Sequence, residues 1–172
     1  MKYIPHDYQK QAQDWIRKNS CAGLFLDMGL GKTAITLTVI EEYLYDYLQH
    51  SKALIIAPKK VAEDTWPREI EKWEHTRHLR ISKILGSAKQ RKAALAREAD
   101  VYIINRENVV WLVEQIGKNW DFEYVVVDEL SSFKNHRAKR FRALRKVRPK
   151  IRRLVGLTGT PMPNGYMDLW AQ

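Results

Sequence analysis

Asp27-Met28-Gly29-Leu30-Gly31-Lys32-Thr33 is the stretch whose residue types and spacing are best suited to chemistry. It follows the apolar run Leu24-Phe25-Leu26 and opens a long helical pattern, so it reads as strand, phosphate loop and helix. Gly29 and Gly31 lack the β-carbons that would keep a backbone from wrapping a phosphate. Successive N–H groups can therefore turn inward beside the positive end of the following helix. Lys32 then reaches the β- and γ-phosphates of a nucleoside triphosphate, and Thr33 offers its hydroxyl to a magnesium ion held against them. The full pattern G-x-x-x-x-G-K-(S/T) has glycine where this chain has Leu26, so its second half is the part present. About a hundred residues downstream, the β-branched run Tyr124-Val125-Val126-Val127 ends directly in Asp128-Glu129. Two adjacent carboxylates after a buried strand suit triphosphate hydrolysis: the aspartate holds the magnesium shell while the glutamate polarises a water towards the γ-phosphorus. A third polar group, Thr158-Gly159-Thr160, follows Leu154-Val155-Gly156-Leu157.

These groups need elements to hold them. Residues 4–16 carry apolar side chains at 8, 12, 15 and 16, which predicts a short amphipathic helix with Asp7 able to cap it. Gln9 lies near its start, and a glutamine amide can both donate to and accept from an adenine edge. Residues 34–48 are apolar nearly all round, as in a helix sandwiched against a sheet. Residues 53–57, a continuous apolar run closed by Pro58, predict a strand buried on both faces, with Lys59 and Lys60 at its carboxyl end. Residues 63–73 resume helical spacing with Trp66, Ile70 and Trp73 on one side, read as core. Strands are predicted at 81–85 and 100–105, helices at 89–98 and 109–116, and a last strand at 154–157. Strands alternating with helices imply an α/β fold, a mostly parallel sheet with helices on both faces. In open parallel sheets ligands sit beyond the carboxyl ends of the strands. Lys32 with Thr33, Asp128 with Glu129, and Thr158 with Thr160 would gather there.

The 172 residues fit one domain, long enough to bury roughly 70% of the unfolded surface. Cys21 stands alone, so no intrachain disulfide partner exists, and a reducing compartment, the cytosol by default or a nucleoid or nucleus for a DNA-associated protein, is expected. No run of about 18 apolar residues occurs, so neither export nor membrane spanning is indicated. His75 and His78 lack a carboxylate or Cys cluster beside them and read as a surface pair. The net charge of +10 is concentrated: eleven Lys or Arg and no acid lie between Lys134 and Arg153, which leaves the other 152 residues at −1. Phe141, Leu144 and Val147 recur there at helical spacing, predicting a helix with one buried stripe and a basic face that attracts polyanions or is simply solvated.

Tyr8-Gln9, the 27–33 loop, Leu54-Ile55-Ile56-Ala57-Pro58 with Trp66, Glu69 and Trp73, Asp128-Glu129 with Lys134-Asn135, and Leu157-Thr158-Gly159-Thr160-Pro161 with Asn164 occur in one order over the whole chain. Together they resemble the first RecA-like lobe of helicase superfamily 2, of the SWI/SNF-type double-stranded DNA translocases. The resemblance implies a RecA-like P-loop NTPase domain over residues 1–172 that uses ATP and Mg²⁺. Gln9 would read adenine, with Gly29, Gly31, Lys32 and Thr33 around the phosphates, Thr33 and Asp128 on the metal, and Lys32, Asp128 and Glu129 serving catalysis. Thr158, Gly159 and Thr160 would couple nucleotide state to movement. Pro58, Lys59, Lys60, Lys134 and Arg137 would contact nucleic acid. The family box reads Asp-Glu-Ala-His, whereas Leu130-Ser131 follows Glu129 here. The family also uses a second RecA-like lobe whose arginines complete the ATP site. The chain, which opens on Met1 and closes on what reads as an interrupted helix at Trp170-Ala171-Gln172, is expected to be a piece of a longer protein with weak or no activity alone. An RNA or single-strand helicase of the same superfamily, and a non-hydrolysing nucleotide-dependent binding module, stay open as alternatives.

Overall fold

Apolar runs of four to six residues bounded by turns bury both faces only inside a sheet covered on both sides. Four of the six strands here do so, and the two edge strands bury mainly one face. The computed structural model describes residues 1–130 and 137–159, with backbone alone for Arg137 and Ala138. Its strands are β1 (Cys21–Phe25), β2 (Ala53–Ala57), β3 (Ile81–Ile84), β4 (Val101–Asn105), β5 (Tyr124–Asp128) and β6 (Arg153–Thr158), joined in a single sheet of order β1-β6-β5-β2-β4-β3. Every pairing is parallel.

The helices are α1 (Asp7–Lys18), α2 (Lys32–Glu41), α3 (Trp66–Lys72), α4 (Ala88–Ala96), α5 (Val109–Ile116) and α6 (Arg137–Val147). Strand side chains alternate between the two faces. Ala53, Ile55 and Ala57 of β2 meet Ile16 of α1, Ile35 and Ile40 of α2 and Trp66 of α3 in one core cluster. Leu54 and Ile56 join Ala94 of α4, Leu112 of α5 and Leu144 and Val147 of α6 in the other. None of the described helices is long and apolar enough to cross a membrane.

The strands and helices fall where the apolar patterns put them, with four differences. β1 begins at Cys21 rather than at Leu24, because Cys21 and Ala22 pair with Leu154 and Val155 of β6. The helix expected to reach residue 48 leaves α-geometry at Glu42, continues as a π-helical turn to Asp46, and ends before Leu48, whose φ is +52° and whose side chain is exposed. The basic segment is one helix only as far as Val147. Leu144 and Val147 of the expected stripe are buried and Phe141 is half-buried, but Arg153 starts β6 and is buried too. Its guanidinium donates to the carbonyls of Ile16 and Asn19 and to the Tyr43 hydroxyl, and lies 4.1 Å from the centre of the Tyr43 ring. His75 is half-buried rather than a surface residue, bonded through Nε2 to Thr38 Oγ1 at 2.8 Å and stacked on Tyr3, while His78 faces Glu41.

Candidate functional site

The register brings the ends of β1, β6 and β5 level: Phe25 pairs with Thr158, and Leu157 with Asp128. The 26–31 loop, Asp128-Glu129 and Thr158-Gly159 therefore share one edge of the sheet. The loop leaves β1 with Leu26 N–H donating to the Thr158 carbonyl at 3.3 Å, then passes through two left-handed residues, Gly29 (φ +82°) and Gly31 (φ +78°), the second capping α2. A β-carbon on Gly29 would meet nothing within 4 Å, so its backbone angle alone calls for glycine there. A β-carbon on Gly31 would lie 2.6 Å from Gln9 Nε2, so a side chain there would have to displace the Gln9 amide as well as adopt the left-handed angle.

Gln9 is buried against this loop. Its Nε2 donates to the Leu30 carbonyl at 3.3 Å and its Oε1 accepts the His6 N–H at 2.9 Å. The Tyr8 hydroxyl donates to the same Leu30 carbonyl at 3.2 Å. Both ends of the amide thus engage the protein's own backbone, and the start of α1 grips the loop. Lys32 Nζ donates to the carbonyls of Leu26 at 2.5 Å and Asp27 at 3.0 Å. A β-carbon on Gly159 would come within 3.9 Å of that ammonium, so the turn after β6 abuts the loop lysine.

Asp128 closes β5 half-buried. Its Oδ2 accepts the indole N–H of the fully buried Trp66 at 3.0 Å, and its Oδ1 accepts the Glu129 N–H at 2.9 Å. Burial pushes the carboxyl above its ordinary value, against the Trp66 hydrogen bond and the Lys32 charge, which pull it down. Glu129 has φ +53°, the left-handed region, which costs a non-glycine residue about 1–2 kcal/mol. Such a conformation is held only where the surroundings determine it, and it is frequent at working sites.

Beside the loop opens a cleft of about 610 Å³ lined by Tyr3, His6, Gln9, Thr33, Glu69 and Trp73 among others. Trp73, expected in the core, is half-buried on this cleft, its indole N–H on Glu69 Oε2 at 2.9 Å. A larger hollow of about 940 Å³ lies at the amino ends of β2, β5 and β6, near His50, Glu123 and Arg152, and holds none of the candidate residues. Lys59 and Lys60 are exposed just past β2, at the same end of the sheet as Asp128, after Pro58, whose carbonyl accepts the Ala62 N–H. Arg137 opens α6. Lys134, Asn135, Thr160, Pro161 and Asn164 lie outside the described residues.

The donor set is oxygen-rich and hard: one hydroxyl, Thr33, and one carboxylate, Asp128. Magnesium is commonly held in this way, by one or two carboxylates plus substrate phosphates. Among the described residues no group of three or more His, Cys, Asp and Glu could hold a metal ion. Sequence reasoning missed the Trp66 bond, the strained Glu129 and the cleft residues Tyr3 and His6, and named Glu69 without giving it a place in the cleft.

A single parallel sheet with a glycine loop leading from β1 into a helix, and an acid-tipped strand, β5, separated from β1 by β6, defines a RecA-like P-loop fold. The model of the SNF2-related domain matches residues 8–172, and the chain belongs to that family as a first RecA-like lobe. It is 40% identical over 176 residues to protein p41 of Acyrthosiphon pisum secondary endosymbiont phage 1, covering 99% of this chain and 38% of p41. To the ISWI chromatin-remodeling complex ATPase ISW1 of Saccharomyces cerevisiae it is 33% identical, covering 95% of this chain and 15% of ISW1. The SWI2/SNF2 ATPase core of Sulfolobus solfataricus, solved in complex with double-stranded DNA, superposes with a TM-score of 0.81 at 27% identity, over 99% of this chain and 35% of that one. The UvsW helicase of bacteriophage T4, at 22% identity and a TM-score of 0.70, shares the fold. The chain thus spans well under half the length of p41, of ISW1 and of the archaeal core.

Proposed function

We propose that this chain is the ATP-binding lobe of an ATP-dependent translocase that moves on double-stranded DNA. The observation that carries the reading is the meeting of the Gly29–Gly31–Lys32 loop with Asp128, Glu129 and Gly159 at one sheet edge, in a chain of the SNF2-related family. The duplex bound by the related archaeal core supports DNA as the track.

In this reading the N–H groups of the loop and the start of α2 hold the phosphates, and Lys32 exchanges its two carbonyl partners for β- and γ-oxygens. Thr33 and Asp128 would hold magnesium, which would supply charge neutralisation on the phosphate oxygens. Glu129 accepts the proton of the attacking water, a step typically worth 10²–10⁴-fold in rate. Gln9, whose amide already fixes the loop at Leu30, stands where a base edge would complete the cleft. Thr158 and Gly159, bonded to and abutting the loop, carry its state towards nucleic acid, with Thr160 next in sequence. Arginines of a second lobe would complete catalysis.

Calorimetric titration with ATP·Mg²⁺ tests the assignment. A hydrogen bond to a charged group contributes about 1.5–3 kcal/mol, so Lys32→Ala is expected to weaken binding by roughly ten- to a hundredfold. Equal affinity for the two proteins would sink it.

A further inference from the structure

Trp66 opens α3 with its side chain fully buried, in the core cluster between β2 and α2. An indole has one polar atom and it only donates. Here that N–H crosses to another element and lands on Asp128 Oδ2 at 3.0 Å, 62 residues away in sequence. The other oxygen, Oδ1, accepts the Glu129 N–H at 2.9 Å. With one donor on each oxygen the carboxylate cannot turn about its last bond without breaking both, while lone pairs remain on both atoms for a further ligand. The two donors have different origins. Glu129 belongs to the same strand end and moves with it, whereas Trp66 stands on the crossover that follows β2, the strand paired with β5 through Ile56 and Val127. The indole therefore ties the orientation of the carboxylate to the neighbouring strand of the sheet.

We propose that Trp66 is a positioning residue for Asp128: its N–H aims the carboxylate at the magnesium ion that accompanies a nucleoside triphosphate on the Lys32 loop. The proposal rests on the reading that Asp128 and Thr33 share that ion. Removing the outer partner of a metal ligand typically lowers metal affinity by 10- to 100-fold. Trp66→Phe keeps an aromatic ring in the core and deletes the donor.

The 172-residue chain is titrated with a non-hydrolysable ATP analogue in EDTA and again in Mg²⁺. In the unmodified protein Mg²⁺ strengthens binding. In Trp66→Phe that gain is expected to shrink about tenfold while the affinity in EDTA stays unchanged. A full Mg²⁺ gain in Trp66→Phe overturns the proposal. So does an equal loss in EDTA and in Mg²⁺, which marks a packing effect. Asp128→Asn separates the two layers: if it loses the Mg²⁺ gain while Trp66→Phe keeps it, the proposal alone fails, and if it keeps the gain, the metal reading fails and the proposal with it. A second measurement needs no Trp66 variant. In the unmodified chain, ¹⁵N-labelled on its indoles, the Trp66 resonance, identified by its displacement in Asp128→Asn, is expected to move when Mg²⁺ is added to the analogue-saturated protein. A resonance that ignores Mg²⁺ overturns the proposal.

Discussion

Gly31→Ala tests how tightly the loop and α1 are joined. Two costs arise there. At φ +78° a β-carbon costs about 1–2 kcal/mol from the left-handed backbone alone. That β-carbon would also lie 2.6 Å from Gln9 Nε2, so the amide must move and lose its bond to the Leu30 carbonyl, about 0.5–1.5 kcal/mol more. The sum is roughly 1.5–3.5 kcal/mol, which for a chain of this length corresponds to a fall in melting temperature of about 3–14 °C. Gly29→Ala is the internal control, because φ is +82° there and the space is open, so it carries the backbone cost without the collision. Thermal unfolding of Gly31→Ala, Gly29→Ala, Gln9→Ala and the double variant Gln9→Ala/Gly31→Ala gives a cycle. The collision predicts that Gly31→Ala costs clearly more than Gly29→Ala, and that Gln9→Ala removes most of the difference. Equal costs at 29 and 31, or a strictly additive double variant, would refute the packing of Gln9 against Gly31.

Two more expectations follow from charge and burial. Burial holds His50 and His75 below the ordinary imidazole value, against the pull of Glu123 on the first and Glu42 on the second. The unfolded chain then binds more protons just below about pH 6.5, so their contribution to stability is complete above that pH and is lost as pH falls through it. The melting temperature is expected to decline from pH 7 to 5, less so in His50→Gln/His75→Gln, and parallel declines would exclude these histidines as the cause. On α6, Lys139, Arg142, Arg145 and Lys146 are exposed, and their replacement with Gln leaves buried Leu144 and Val147 in place. Affinity for duplex DNA and the slope of log K against log salt are both expected to fall, the slope by up to about 0.9 per lost phosphate contact; unchanged values in the folded variant would make this a solvated face.

The central strands β2, β4, β5 and β6 were legible in the sequence because each is a short, largely apolar run that only a doubly covered sheet can bury, and the end of the sheet that carries the site was legible because Asp128-Glu129 and Thr158 close β5 and β6. Glycine and lysine at 29, 31 and 32 and the acids at 128 and 129 signal the site through residue type alone. What stayed hidden depends on partners far along the chain. The Trp66–Asp128 bond spans 62 residues, and nothing local marks one tryptophan of residues 63–73 as a donor to a carboxylate. Gln9 carries the amide a base edge calls for, yet its immediate partners are His6 and Leu30, a use that depends on how closely α1 approaches the loop.

Arg153 shows the same limit in electrostatics. Composition counts it with ten other cations in an acid-free segment, where a solvated charge is the ordinary outcome. Three acceptors, the carbonyls of Ile16 and Asn19 and the Tyr43 hydroxyl, compensate its burial, together with the ring of Tyr43 below it. Arg148 and Lys150 likewise donate to backbone carbonyls, of Ile151 in the first case and of Gly117 and Lys118 in the second. A partner approaching this segment therefore meets the exposed cations of α6 together with Lys150 and Arg152, while Arg153 is held inside the base of the sheet. Among the described residues the basic run thus combines a charged helix face on α6, exposed cations at Lys150 and Arg152, and an internal clamp at Arg153, which alone is withdrawn from a polyanion by burial.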